Sequence, residues 1–261
     1  MKPILRIVYS SMKIQMKQTF AREMFRYIVI IFPLFTGLLM GFVYMDKSTA
    51  DFVSYAMVGT ATMTMWSSIA FSSASDVQRE RFMGALAQIF NTPEKFYYIM
   101  LGKVLGNTLL GAVSMVISFI FVGAVFKVPI NIVNVPVFLA VFFISVVSYM
   151  MIAMMLSGVL AVSRQARTLM NSMDYIIFLL TGSAFPITVL PIYLRFFSYA
   201  LSPTYAIKLL RLAITGSVNT SAFYLYFVGL IMTTVLYFVV SLGLYRTIEL
   251  RARVNATLEV I

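Results

Sequence analysis

Six stretches of this chain carry no Asp, Glu, Lys or Arg: residues 27–45, 52–74, 104–126, 135–162, 175–194 and 222–245. A helix needs about 20 residues to cross hydrocarbon, and each stretch is long enough. Barrel strands would be about half that length and would alternate apolar with polar residues, which these stretches do not. Hydrophobic residues make up 61% of the 261 positions and charged residues 11%, a ratio outside the range of soluble domains. The expected fold is an all-α integral membrane protein with six transmembrane helices, a single transmembrane domain over 1–261.

The formal net charge of +11 would point to nucleic acid in a soluble protein. Here it reports topology, and no nucleic-acid partner is expected. With the N-terminus inside, Lys2, Arg6, Lys13, Lys17, Arg22, Arg26, Arg79, Arg81, Lys95, Lys103, Arg164, Arg167, Arg246, Arg251 and Arg253 all fall on the cytoplasmic side. Only Lys47, Lys127, Arg195, Lys208 and Arg211 fall outside. The excess places both termini, including a tail over 246–261, in the cytoplasm of a cell-membrane protein. Residues 1–26 are basic throughout with no small-residue cleavage site, so no signal peptide is expected. The chain has neither Cys nor His, so disulfides, thiol chemistry, metal sites and His-based catalysis are not expected.

Residues 3–25 read as an amphipathic helix lying on the cytoplasmic face, with Ile4, Val8, Met12 and Met16 on one side and Lys2, Arg6, Lys13 and Lys17 on another. Its role is either a basic anchor on lipid headgroups or part of a gate. In the first span, Gly37 and Gly41 allow close approach by a neighbouring helix, whether from the same chain or a second copy. The second span is rich in hydroxyls, with Thr60, Thr62, Thr64, Ser67, Ser68, Ser72, Ser73 and Ser75. These either bond back to their own helix or line a route for an amphipathic solute together with Tyr55, Met63, Trp66 and, further along, Phe185.

The cytoplasmic stretch 76–103 is the most informative. It predicts a short amphipathic helix with Phe82, Met83, Leu86, Ile89 and Phe90 at helical spacing, opened by charges and stopped at Asn91-Thr92-Pro93. An apolar face there needs lipid or a groove on a soluble partner. Asp174 is the acidic residue expected near a span, at the interface. Near the outer end of the fifth span, Pro186 and Pro191 break the helix, and a re-entrant or interfacial segment is expected over 182–220.

Three features together resemble the type 2 export permeases of the ATP-binding-cassette superfamily. They are the basic amphipathic N-terminal helix; the loop from Glu80-Arg81 through Gly84 and Leu86 to Thr92-Pro93; and the late pattern at Gly182, Phe185, Pro186, Leu190 and Pro191 followed by Ser202-Pro203-Thr204. The resemblance implies a dimer with a second permease copy or paralogue, and two cytoplasmic ATPase subunits that bind ATP and Mg. It implies that Arg79, Glu80, Arg81, Phe82, Leu86, Thr92 and Pro93 couple to the ATPase. It also implies an outer gate at Gly182, Phe185, Pro186, Leu190, Pro191 and Pro203. The chain itself has no phosphate-binding Gly-rich loop, so it is not expected to be an enzyme or to bind a cofactor.

The expected activity is export of an amphipathic drug, antibiotic or lipid-like solute through the bilayer. Lipid-linked polysaccharide or teichoic acid is the alternative cargo, and a non-transporting scaffold or immunity protein the alternative role. An intramembrane enzyme would need paired acids, a Ser-Lys pair or a metal cluster within the spans, and a secondary transporter would need buried ionisable groups or inverted repeats.

Overall fold

The computed structural model describes residues 3–82, 84, 88–89, 92, 94–128, 132–162 and 175–255. Helix α1 (Pro3–Phe20) is followed by an extended Arg22, which turns the chain into α2, the helix Glu23–Tyr44. Pro33 has no N–H to return to Val29, and the turn ahead of it widens into π-helix over Tyr27–Ile31. The Ser48 hydroxyl then accepts from the Asp51 amide at 3.2 Å and starts α3, residues 49–82. This helix is π-helical over Phe52–Gly59 and α-helical over Thr60–Phe82.

Two long helices follow, α4 (Phe96–Val125) and α5 (Val135–Val162). Helix α6, residues 175–180, ends before Gly182, whose φ of 75° is the left-handed conformation that closes a helix. A 3₁₀ turn at Ile187–Val189 leads to α7 (Ile192–Ala200), and an extended Leu201 separates it from α8 (Ser202–Thr215). The chain ends in α9 (Ser221–Asn255). There is no strand among the described residues.

Four of these helices are long and apolar enough to cross a bilayer: Glu23–Tyr44, Phe96–Val125, Val135–Leu160 and Ser221–Leu250. Their exposed side chains are apolar, as in Phe35 and Phe42 on α2, Ile120 on α4, Phe143 on α5 and Leu225 and Met232 on α9. The surrounding solvent is therefore hydrocarbon, in which a helix satisfies its own backbone. The other two expected spans are not among these four. Residues 52–74 lie within α3, whose hydroxyls dilute its hydropathy and whose faces are buried by α4 and α5. Of 175–194 the first continuous helix covers 175–180 and stops at Gly182, before either proline is reached.

Helix α1 lies at one end of the bundle, the basal end, where α3 finishes and α4 begins. It packs on α4 where glycines remove the side chains between them. A β-carbon on Gly102 would lie 2.5 Å from the Val8 carbonyl oxygen, and one on Gly106 would lie 3.0 Å from that of Met12. The face of α1 turned inward carries Val8, Met12, Gln15 and Thr19, while Ile4, Leu5, Tyr9 and Ile14 point outward. Gly37 and Gly41 make the same kind of contact within the chain, packing α2 against Val122 and Phe126 of α4. At the opposite, apical end, α8 is enclosed by α5, α9 and the π-helical part of α3, with Ala206, Leu209, Leu210 and Ala213 fully buried.

Gly102→Leu sets a side chain against rigid backbone, and it is expected to destabilise the purified protein by about 2 kcal/mol or more. Gly243→Leu, with nothing within 4 Å of its β-carbon, is expected to leave stability unchanged within about 0.5 kcal/mol. Thermal unfolding in detergent, followed by tryptophan fluorescence, checks both.

Candidate functional site

Where α3 leaves the core at the basal end, its last turns carry Asp76, Arg79 and Glu80. Asp76 is 1% exposed, deep enough that each carboxylate lone pair needs a donor. Its Oδ1 receives the Arg22 guanidinium at 2.6 Å and that of Arg79 at 3.3 Å. Its Oδ2 receives the Gln15 amide and the Asn107 amide, the latter at 3.0 Å. Asn107 in turn accepts from Gln15 at 3.1 Å and from the Thr19 hydroxyl at 3.3 Å. Four donors, from α1, the link after it, α3 and α4, saturate one carboxylate, and two of them are positively charged.

One turn further along, Glu80 pairs with Lys103 of α4, and both side chains are largely buried. Arg79 also donates to the Gln18 side chain of α1 at 3.1 Å. Directly ahead of the 83–95 stretch, hydrogen bonds thus tie α1 to α3 and α4, and an ion pair ties α3 to α4.

The expected coupling residues separate into two groups. Arg79 and Glu80 are engaged within the protomer, on α1 and α4 respectively, and do not face outward. Arg81 and Phe82 form the end of α3, so the charges that were expected to open a separate amphipathic helix instead complete this one. Residues 88–89 are helical, and Thr92 closes on Ile89 through its backbone N–H at 3.2 Å and its hydroxyl at 2.7 Å. Leu86 and Pro93 lie outside the described residues, as do Asp174, Arg164 and Arg167.

At the apical end the organising group is Arg211 on α8. Its Nε donates to the Ser54 carbonyl at 2.9 Å, and a terminal nitrogen donates to the Gly182 and Ser183 carbonyls at 2.9 and 3.2 Å. The guanidinium lies 4.2 Å from the Tyr55 ring centroid, and Tyr55 stacks on Tyr44 at 5.3 Å. Ser54 lies in the π-helical stretch, so Arg211 caps both that stretch and the turn that ends α6. Gly59 is equally tight, since a β-carbon there would lie 2.1 Å from the Ser183 carbonyl oxygen.

Among the expected outer-gate residues, Gly182 and Leu190 are buried, Phe185 is half-buried, Pro186 and Pro191 are exposed, and Pro203 is buried at the start of α8. Of the expected pathway residues, Tyr55 is taken up beneath Arg211 and Met63 is half-buried. Trp66 and Ser67 lie in the core, with Trp66 6.4 Å from Tyr149. The hydroxyls of Thr60, Thr62, Thr64 and Ser72 all bond back to carbonyls three or four residues earlier, as at 2.8 Å from Thr62 to Val58.

Sequence reasoning passed over Asp76, Gln15, Thr19 and Asn107. Two signals were available. Gln15 and Thr19 continue the helical stripe of Val8 and Met12, and Asn107 is the one amide in the uncharged run 104–126. Polar groups in such places face a bundle interior and find partners there.

Asp76→Asn removes the charge but keeps the shape. It leaves Arg22 and Arg79 without their counterion, and is expected to lower stability by about 3 kcal/mol. Glu80→Gln and Lys103→Met should each destabilise more alone than combined, because the double variant leaves no unpaired buried charge. Unfolding in detergent of the four proteins checks the non-additivity.

No curated protein matches the sequence. The ABC-2 type transporter family matches residues 7–215, which take in α1, the Asp76 cluster, the 83–95 stretch and the whole apical segment through α8. The chain belongs to the ABC-2 type transporter family.

Proposed function

We propose that this membrane subunit is the permease of an ATP-driven exporter, in which two copies or two related permeases pair and each is driven by a separate cytoplasmic ATPase subunit. Both termini are cytoplasmic, so the basal end faces the ATPase and α3 and the 175–194 segment complete six spans. The apical helices α7 and α8 form a re-entrant cap over the exit. Arg211 holds that cap to α3 and to the end of α6.

The observation that carries this reading is the basal cluster. A partner pushing on residues 83–95 needs a rigid link to the bundle, and Asp76 with Glu80 supplies one to α1 and α4. Phe82 and Leu86 are the apolar anchors for the partner, flanked by Arg81 and by Thr92-Pro93. Arg79 and Glu80 transmit the motion rather than meet the ATPase. With ATP and Mg on the partner, closure of the ATPase pair tilts α3 and α4 together and opens a route between permeases.

Trp66 and Ser67 are enclosed in one protomer, so they line that route only where α3 parts from its neighbours. The apolar, Met- and Phe-rich interior fits an amphipathic drug-like or lipid-like solute, with hydroxyls of α3 for its polar group.

Phe82→Asp or Leu86→Asp, co-expressed with the ATPase and reconstituted in proteoliposomes, is expected to insert normally while ATP-driven export falls about tenfold or more. Unchanged export with either substitution would remove the coupling assignment. A chain that co-purifies with no ATPase would remove the exporter reading altogether.

A further inference from the structure

A second polar feature at the basal end belongs to neither the Asp76 cluster nor the coupling residues. A cleft of about 560 Å³ lies between the start of α4 and the last turns of α9. Lys95 and Arg246 bring two cations to it, and Tyr97 and Tyr98 border it with their rings edge to face, centroids 5.7 Å apart. Glu249 also borders the cleft, so two cations stand beside one acid. Leu242 and Leu250 complete the wall, one turn to either side of Arg246 on α9.

The position of the cations along their helices is the telling point. Arg246 is the first charge after the uncharged run 222–245, and Lys95 is the residue immediately before α4. Both therefore stand where hydrocarbon ends, at the depth of lipid headgroups, with phenols beside them as at a membrane boundary. The apolar wall continues without interruption into the outward stripe of α9 through Leu242, Val239 and Val235, which are 39%, 58% and 54% exposed. A ligand seated here has an anionic end held by Lys95 and Arg246, and an apolar end lying along α9. A soluble partner would meet only the first of these.

We propose that this cleft binds the headgroup phosphate of an anionic phospholipid, with an acyl chain laid along the outer face of α9. The planar guanidinium of Arg246 suits two phosphate oxygens at once, and Lys95 adds a point charge from the facing helix. Because α4 also carries Lys103 and Asn107 of the basal cluster, a lipid bridging α4 and α9 sits against the helix that the coupling stretch drives.

Native mass spectrometry of the full chain in detergent, with added dioleoyl phosphatidylglycerol or dioleoyl phosphatidylcholine, tests the site. Phosphatidylglycerol adducts are expected to persist at collision energies that strip phosphatidylcholine. Lys95→Gln and Arg246→Gln are each expected to reduce phosphatidylglycerol retention about fivefold, and the double variant about thirtyfold. Both side chains are exposed, so a single symmetric gel-filtration peak is expected to accompany the loss.

Equal retention of the two lipids, or unchanged phosphatidylglycerol binding by the double variant, would overturn the proposal. Displacement of the lipid by glycerol 1-phosphate at comparable concentration would assign the site to a free phosphate ester instead. Loss of ATPase co-purification by the double variant, with phosphatidylglycerol binding intact, would make the cleft a protein contact.

Discussion

A carboxylate removed from water must be given donors, and in this protein that requirement decides where three helices meet. Asp76 is reached by Arg22 and Gln15 from the N-terminal segment, by Arg79 from its own helix and by Asn107 from α4. None of these contacts is interchangeable with packing. Take one donor away and a charge or a lone pair is stranded in a dry interior, at a cost of several times a typical hydrogen bond. The glycines at 102 and 106 serve the same junction, since only without side chains there can α1 come close enough for Gln15 to reach Asp76.

The apical end solves a matching problem with the opposite sign. Arg211 is a cation held by carbonyl oxygens and a tyrosine ring rather than by an acid. The carbonyls come from a π-helical turn and from the residues that end α6, places where the regular ladder leaves acceptors over. One guanidinium thereby fastens α8 to α3 and to the Gly182 turn. Buried charges thus lie at the two ends of the bundle, while the middle is held by Met65, Ile69, Tyr149, Met154 and Leu210 with their neighbours.

This division suits a subunit of the ABC-2 type transporter family. Ion pairs at the basal end fix where α3 meets Arg22 and α4. The hydroxyls of Thr60, Thr62, Thr64 and Ser72, bonded back within α3, leave its surface small and smooth, which permits tight packing without obligatory partners on other helices.

The runs of uncharged residues by themselves determined that the chain lives in a bilayer and is helical, because hydrocarbon leaves the backbone no other partner. They located both ends of α2 and α5, the end of α4 and the start of α9 within a few residues, whereas α4 begins well before its uncharged run and α9 continues well past its own. The punctuation around Pro186 and Pro203 announced an interrupted apical segment, although the stop falls at Gly182, where backbone conformation rather than a missing amide ends the helix. What the sequence left open is which face of each helix meets which neighbour. Gly37 and Gly41 could have served a second copy or α4, and only packing showed Val122 and Phe126 beneath them. Asp76 read as the first charge of a loop because its four donors are scattered from residue 15 to residue 107. A buried charge is legible only when its counterions are, and tertiary structure alone brings such distant residues together.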